Sequence, residues 1–356
     1  MGMIAFLKLP SLRFTSSYLY LLSAFLLGLF TINCFSHVDR KGPTNCEKIS
    51  GTPGPEDIAI DRDTGILYIS SHERREKNKI GFLYTLDLKK DAKIPVKIET
   101  NYPEKFAPHG IFLATVAGVK KLYVISHPKL IGGTEHTIEI FKIEKEKLIH
   151  EATLKNELLL SPNDLFVTQD GKIFVSNDVP AGGQFGQIVH VLLRLNSSPI
   201  SYYNGKDWSL LSEKTAFGNG ILIKKENGKD YLYRSSHVYE SVLKYELSYS
   251  NSGAPDLKLV KKIELGSGSD NLEEEESGNI LVAGHKSNMR FMGHAGSREK
   301  TSPSQVFRIF PDGTTKEIYA NDGEEISAAS TGLSYKNKLV ISQVFEPFIL
   351  SCTLDK

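Results

Sequence analysis

The chain has 356 residues, 40% of them hydrophobic and 24% charged, with a formal net charge of +1. That balance excludes an intrinsically disordered chain, and with no basic excess there is no footprint for nucleic acid or another polyanion as partner. The length alone would suggest two domains, yet no Pro/Ser/Gly-rich linker divides the body, so one closed unit following a leader is expected.

The leader comes first. Lys8 and Arg13 precede an apolar stretch from about Tyr18 to Phe35, the basic-then-apolar order of a secretory signal. Residues 1–36 therefore read as a signal peptide or an uncleaved signal anchor, with the body exported: secreted, periplasmic or membrane-anchored, facing an oxidising compartment. Cleavage near Ser36, retention as a membrane anchor and lipidation at Cys34 all stay open, although Thr31-Ile32-Asn33 matches the small-residue consensus before a lipidated cysteine poorly. Beyond the leader only Cys46 and Cys352 remain, near the two ends of the body. Such placement suits a disulfide tying the ends together, the alternative being two free buried thiols.

From Pro55 onward a polar signal, an alternating apolar strand, a turn and a β-rich run recur six times. Pro55-Glu56-Asp57 leads through Ile58 and Ile60 and the Asp63-Thr64-Gly65 turn to Ser70-Ser71-His72. Pro108-His109-Gly110 leads to Ser126-His127, and Pro162-Asn163-Asp164 leads to Ser176-Asn177-Asp178. Gly218-Asn219-Gly220 leads to Ser235-Ser236-His237, and Ser269-Asp270-Asn271 leads to Gly284-His285. The last copy, Ala329-Ser330-Thr331-Gly332, is the most degraded and ends at Ser342. Each copy is followed by another β-rich segment: 82–88, 138–143, 191–195, 242–247, 306–310 and 348–354. Paired apolar runs with Gly, Asn and Asp turns, recurring roughly every 50 to 60 residues, predict an all-β, six-bladed β-propeller over 45–356. A sandwich or a lipocalin-like barrel gives no reason for the repetition, whereas radial repetition brings equivalent loops around one central channel.

A single Asp or Asn before a strand is commonly a turn or cap residue. The set says more, because Glu56, Asp57, Asn163, Asp164, Asn219, Asp270 and Asn271 hold corresponding places in four copies and should point toward one axis. Carboxylates and amides converging without a cation would repel one another and lose solvent. A hard ion resolves the conflict: Ca²⁺ takes six to eight oxygen ligands in flexible geometry, and the His and Cys clusters that zinc requires are missing. The acidic run Glu273–Glu276 reads as a solvated strand or turn edge rather than as a ligand set. His109, His127, His237 and His285 stand at repeat ends facing the expected mouth, while His136, His150, His190 and His294 follow no such pattern. His109 beside the acidic cluster is the candidate general base, with His127 to take up or relay its proton.

Glu56-Asp57, Phe106-Ala107-Pro108-His109-Gly110-Ile111, Ser126-His127-Pro128, Pro162-Asn163-Asp164, Phe217-Gly218-Asn219-Gly220, Ser269-Asp270-Asn271 and Gly284-His285 form a specific series when taken in this order. From about Asn45 to Leu354 the chain resembles the calcium-dependent paraoxonase/arylesterase family of six-bladed propellers, whose members act mainly as lactonases. The resemblance implies two calcium ions. A catalytic one would be held by Glu56, Asn163, Asn219, Asp270 and Asn271, and a structural one by Asp57, the carbonyl of Ile111, and Asp164. It further implies a histidine dyad at His109 and His127, pocket-wall positions at Phe217 and His285, and a disulfide between Cys46 and Cys352 that closes the ring. One departure is Val179, where the family commonly has histidine, followed by Pro180-Ala181-Gly182-Gly183, so substrate choice is expected to differ.

The function read from these residues is hydrolysis of lactones and of aryl or other carboxylic esters, with a small molecule as substrate. Calcium would polarise the carbonyl, and His109, assisted by His127, would deprotonate the attacking water. No Gly-x-Ser-x-Gly elbow occurs, which disfavours serine-hydrolase chemistry. The alternative reading is an exported, calcium-stabilised propeller that binds without catalysing, since fold alone never establishes activity.

Overall fold

The structure is a computed structural model that describes residues 37–354 apart from 77, 134, 146 and 180–188, so the leader and Cys34 lie outside the described residues. Among the described residues no helix is long and apolar enough to cross a membrane.

Among the described residues the strands form six sheets of four antiparallel strands each, as the repeat predicts. The inner strands of blades 1 to 6 are Ile58–Asp61, Pro108–Val116, Pro162–Val167, Gly218–Glu226, Gly268–Glu274 and Ala329–Tyr335. Side chains alternate along a strand, so successive residues enter opposite interblade layers. Leu281 packs toward blade 6 with Ile341 and Leu350, whereas Val282 packs toward blade 4 with Tyr233 and Val242. Both faces of each blade are thereby buried, which is why the second strands read as continuous apolar runs rather than as alternating ones. Arg234 is fully buried between blades 3 and 4, where it donates to Ser176 Oγ (3.0 Å) and to the carbonyls of Ser198 (3.0 Å), Pro199 (3.0 Å) and Asn177 (3.2 Å).

The ring closes in blade 6. Its outermost strand, Cys46–Ser50, comes from the start of the body and pairs antiparallel with Phe348–Thr353 from its end. Cys46 and Cys352 are direct partners in that register and are joined by the expected disulfide, across a sequence separation of 306. On the chain-entropy account a cross-link over so long a loop stabilises by roughly 5 kcal/mol. The Cys46→Ser, Cys352→Ser double variant should therefore unfold at a clearly lower urea midpoint. An unchanged midpoint would mean that strand pairing alone secures the ring.

One expected strand is displaced. Val191–Leu195 does not pair; the third strand of blade 3 is Ile200–Tyr203, which pairs with Ile173–Ser176. The segment Ile200-Ser201-Tyr202-Tyr203 carries the β-branched and aromatic residues that suit a half-buried pleated surface, whereas Leu192 and Leu193 are exposed.

Candidate active site

The polar signature acquires its direction from backbone irregularity. In blades 2 to 6 the pairing of the inner strand with its neighbour shifts register between Pro108 and Ile111, Pro162 and Asp164, Gly218 and Ile221, Ser269 and Leu272, and Ala329 and Gly332. A bulge bends its strand and re-aims side chains. The residues inside these bulges are His109 and Gly110, Asn163, Asn219 and Gly220, Asp270 and Asn271, and Ser330 and Thr331. Glu56 and Asp57 stand just before the inner strand of blade 1. Neighbouring bulges touch: a Cβ on Gly110 would lie 2.4 Å from the carbonyl oxygen of Asn163, and one on Gly220 would lie 2.7 Å from that of Asp270. Glycine is required at both positions for this close approach.

Two aspartates clasp adjacent blades. Asp57 accepts from the amides of Ile58 (2.8 Å) and Ile111 (2.7 Å) and from the Thr331 hydroxyl (2.8 Å), which joins blades 1, 2 and 6. Asp164 accepts from the amides of Leu165 (2.7 Å) and Ile221 (2.8 Å), which joins blades 3 and 4. Ile111 thus presents its N–H to Asp57.

Glu56, Asn163, Asn219, Asp270 and Asn271 are all buried, each between 2 and 7% exposed. Asn271 Nδ2 donates to Thr331 Oγ1 (3.0 Å) and Glu56 Oε1 (3.3 Å), and an Asn219 side-chain hydrogen bond reaches Asp270. Four buried oxygens of this set, Glu56 Oε2, Asn163 Oδ1, Asn219 Oδ1 and Asn271 Oδ1, have no hydrogen-bond partner. An acceptor buried without a donor costs about 1–3 kcal/mol, so several in one place are a liability to the fold unless a cation meets them. Among the described residues no group of three or more His, Cys, Asp and Glu side chains is arranged to hold a metal ion. The cluster instead draws three of its five members from carboxamides, an all-oxygen donor set that suits a hard cation.

Burial, and then the charge of Asp57, holds the Glu56 and Asp164 carboxyls well above the ordinary range; burial above all does the same at Asp270, and it pushes Asp57 up to about 6. A carboxyl with a raised folded pKa stabilises fully below its unfolded pKa and loses that contribution as pH rises through the folded value. In the cation-free protein these carboxyls therefore favour the fold more at pH 5 than at pH 7, whereas the buried histidines held below their ordinary range, His109 and His127 among them, act in the opposite sense over the same window.

The acidic run beyond Asn271 departs from the expected solvated edge. Glu276 is exposed, but Glu275 is 7% exposed and accepts two bonds from Arg308 (2.7 and 2.8 Å). Glu273 lies on the inner strand itself, where burial and then the Asp57 charge hold its carboxyl well above the ordinary range.

His109 and His127 stand edge to face with ring centroids 4.8 Å apart. His109 Nδ1 lies 3.6 Å from Glu56 Oε2. Two neighbours were not anticipated. Arg74 Nη2 is 2.9 Å from His109 Nδ1, and Arg74 Nη1 donates to the carbonyls of Gly54 (3.0 Å), His72 (3.2 Å) and Val344 (3.3 Å). A guanidinium only donates, so His109 Nδ1 bears the lone pair. His136, set aside for want of a pattern, has its Nδ1 2.8 Å from Nδ1 of His127. Burial and then the Arg74 charge hold His109 well below the ordinary histidine range, and burial followed by His109 does so for His127. Both are neutral at pH 7. The run Glu73-Arg74-Arg75 directly after Ser70-Ser71-His72 was the available signal for Arg74. For His136 the signal was the register of its hairpin: Ser126 pairs with Thr137, which sets His127 opposite His136.

The expected wall residues stand in a longer aromatic file. Phe217, in a left-handed backbone conformation (φ 55°), has its ring centroid 5.5 Å from that of His237, and His237 is 5.5 Å from His285. His285 stacks on Phe291 (4.6 Å, 20°), which meets Phe345 (5.5 Å). Phe291 belongs to a helix, Asn288–Gly296, capped at its start by Ser287. His285 Nε2 donates to the Ala329 carbonyl (2.7 Å) and lies 3.2 Å from Asp270 Oδ2, while its Nδ1 has no partner. Val179 is buried, and the loop after it lies outside the described residues.

The Arylesterase family model matches residues 75–354. Serum paraoxonase/lactonase 3 of Oryctolagus cuniculus is 28% identical over 332 residues, covering 88% of this chain and 89% of that protein. Serum paraoxonase/arylesterase 2 of Canis lupus familiaris is 28% identical over 320 residues, covering 85% and 86%. Among solved structures, a calcium-binding protein, regucalcin, from Agrobacterium tumefaciens superposes with a TM-score of 0.56 at 12% identity, covering 88% of this chain and 95% of that one. A gluconolactonase from Xanthomonas campestris gives 0.54 at 13% identity, covering 89% and 96%. These two likenesses bear on the fold alone. With the family model spanning most of the body and full-length relatives matching alongside it, the chain belongs to the arylesterase family.

Proposed function

We propose that the protein is an exported, calcium-dependent hydrolase of lactones and aryl or other carboxylic esters. The observation that carries this reading is the group of partnerless buried oxygens on Glu56, Asn163, Asn219 and Asn271, set beside a neutral imidazole at His109. Calcium held by these four residues and Asp270 would supply the fixed positive charge that stabilises the oxyanion of an ester or lactone under attack. A second, structural ion would be held by Asp57, Asp164 and the carbonyl of Ile111. The names of the curated relatives, which include both lactonase and arylesterase, support the substrate classes.

The chain's own groups perform the proton chemistry. His109 takes the water's proton at Nδ1, the atom now held by Arg74, so the incoming water displaces the guanidinium from that lone pair. The file of Phe217, His285 and Phe291 shields the reacting centre from solvent and receives the apolar part of the substrate. Export is supported by the Cys46–Cys352 disulfide, a bond that persists in oxidising compartments. The test is a panel of aryl esters and aliphatic lactones assayed with and without EDTA. Turnover lost on chelation supports the reading, and silence across the panel overturns it in favour of a binding module.

A further inference from the structure

We infer that Arg74 makes the site selective for lactones that carry a carboxylate on the reacting ring, the guanidinium taking that carboxylate through Nε and Nη2. The inference rests on the hydrolase reading above and deepens it by naming the class of lactone.

The head group of Arg74 is a fixed point on the wall of the mouth. Nη1 donates to the carbonyls of Gly54 (3.0 Å), of His72 (3.2 Å) just past the strand Ile66–Ser71, and of Val344 (3.3 Å) just past the strand Lys338–Gln343. Nη2 meets the Pro108 carbonyl at 3.4 Å. A guanidinium held in this way loses little freedom when a ligand arrives. It also stands beside the reacting centre, because Nη2 is 2.9 Å from His109 Nδ1 and that same nitrogen is 3.6 Å from Glu56 Oε2.

What Arg74 lacks is an anion. Three nearby arginines are paired: Arg75 with Glu346 (2.6 Å), Arg290 with Asp322 (2.6 Å) and Arg298 with Glu73 (3.2 Å). Arg74 is partly buried, yet among the described residues no carboxylate makes an ion pair with it. The charges that reach it from further away are Glu56, Glu73 and Asp270. Glu73 is engaged by Arg298, and Glu56 and Asp270 are the carboxylates assigned above to the cation. A guanidinium withdrawn from water without a counter-charge is costly, and an anionic ligand removes that cost.

Arg234 shows the structural alternative, a buried guanidinium whose Nε, Nη1 and Nη2 all donate within the wall. Arg74 is not closed in this way. Its Nε has no hydrogen-bond partner among the described residues, and its Nη2 is turned to an imidazole nitrogen, a weaker acceptor than a carboxylate. Nε and Nη2 form the edge of the fork that matches the two oxygens of one carboxylate. Because Arg74 and Glu56 both stand at His109 Nδ1, that carboxylate must sit on the lactone ring rather than at the end of a long chain. Hydrolysis is otherwise unchanged: water adds to the ring carbonyl, the ring C–O bond breaks, and a hydroxy dicarboxylate and one proton leave.

The experiment compares γ-butyrolactone bearing a carboxylate on the carbon next to the ring oxygen with the matching carboxamide, which has the same shape and no charge. Wild type, Arg74→Met and Arg74→Lys are assayed on both. The wild type should favour the carboxylate by about ten- to a hundredfold in kcat/KM, carried mainly by KM. Arg74→Met should abolish that ratio, and Arg74→Lys, which keeps the charge but not the fork, should hold part of it. Arg74 also touches His109, so absolute rates are expected to change and only the ratio is read. In parallel, calorimetry in calcium buffer measures tetrahydrofuroate, which has the ring and its carboxylate but no reactive carbonyl; its binding should weaken about tenfold or more in Arg74→Met. The inference is overturned by a wild type that uses the two lactones alike or prefers the carboxamide, and by a preference or a tetrahydrofuroate affinity that survives Arg74→Met. If the hydroxy acid from unsubstituted γ-butyrolactone inhibits through Arg74 while both lactones are used alike, Arg74 holds product only and the substrate class is wrong. Should Arg74→Met fail to fold, the wild-type ratio and Arg74→Lys decide. A protein silent on both lactones loses the hydrolase reading, and tetrahydrofuroate binding then decides by itself whether the carboxylate site at Arg74 stands or falls.

Discussion

His109→Gln is expected to lower kcat for lactone hydrolysis by about 10²- to 10⁴-fold while leaving calcium content and melting temperature near their wild-type values. The amide of Gln fills much of the imidazole's place and can still accept from Arg74 Nη2, which lies 2.9 Å from His109 Nδ1. What it cannot do is bind the proton of the attacking water. His109 contacts the donor cluster only at 3.6 Å from Glu56 Oε2, beyond hydrogen-bond reach, so the five oxygen donors stay in place without it. Steady-state kinetics and elemental analysis of the same preparation decide the matter. Wild-type turnover in the variant removes His109 as base, and loss of the metal along with activity would move it among the positioning residues of the cation.

Chelation should act on stability as strongly as on turnover. The body carries partnerless buried oxygens on four residues of the hub, and a cation that satisfies them binds the folded ring far better than the open chain. At a free concentration about a thousand times the dissociation constant, such binding contributes about 4 kcal/mol. For a body of this length that corresponds to a fall on the order of 10 °C in melting temperature when EDTA is added and to recovery on restoring calcium. Asn219→Leu, which removes one of the unpartnered oxygens, is expected to shrink the difference between the two melts. Superimposable melts with and without chelator would show that no cation is held at the hub.

Much of this architecture was written locally. Six recurrences of a polar signal before an alternating strand imply six blades because each unit leaves an apolar face that only its neighbours can cover, and the interblade layers of Leu281 and Val282 show that covering realised. Cys46 and Cys352 follow from closure, since the two ends of a ring must meet. The strand at Val191–Leu195 was misplaced for a local reason as well: an apolar run beside a loop resembles a strand until burial separates the two, and it is Ile200 that is buried.

Sequence alone therefore settled the number of blades and their closure, because repetition places equivalent units at equivalent points around an axis. It did not settle what surrounds the residues at the hub. Arg74 reaches His109 from a loop between strands, His136 reaches His127 only through hairpin register, and Phe291 reaches His285 from a helix with no counterpart in the repeat. These contacts depend on bulges, loop paths and side-chain directions that no periodicity encodes, and only the packed ring decides them.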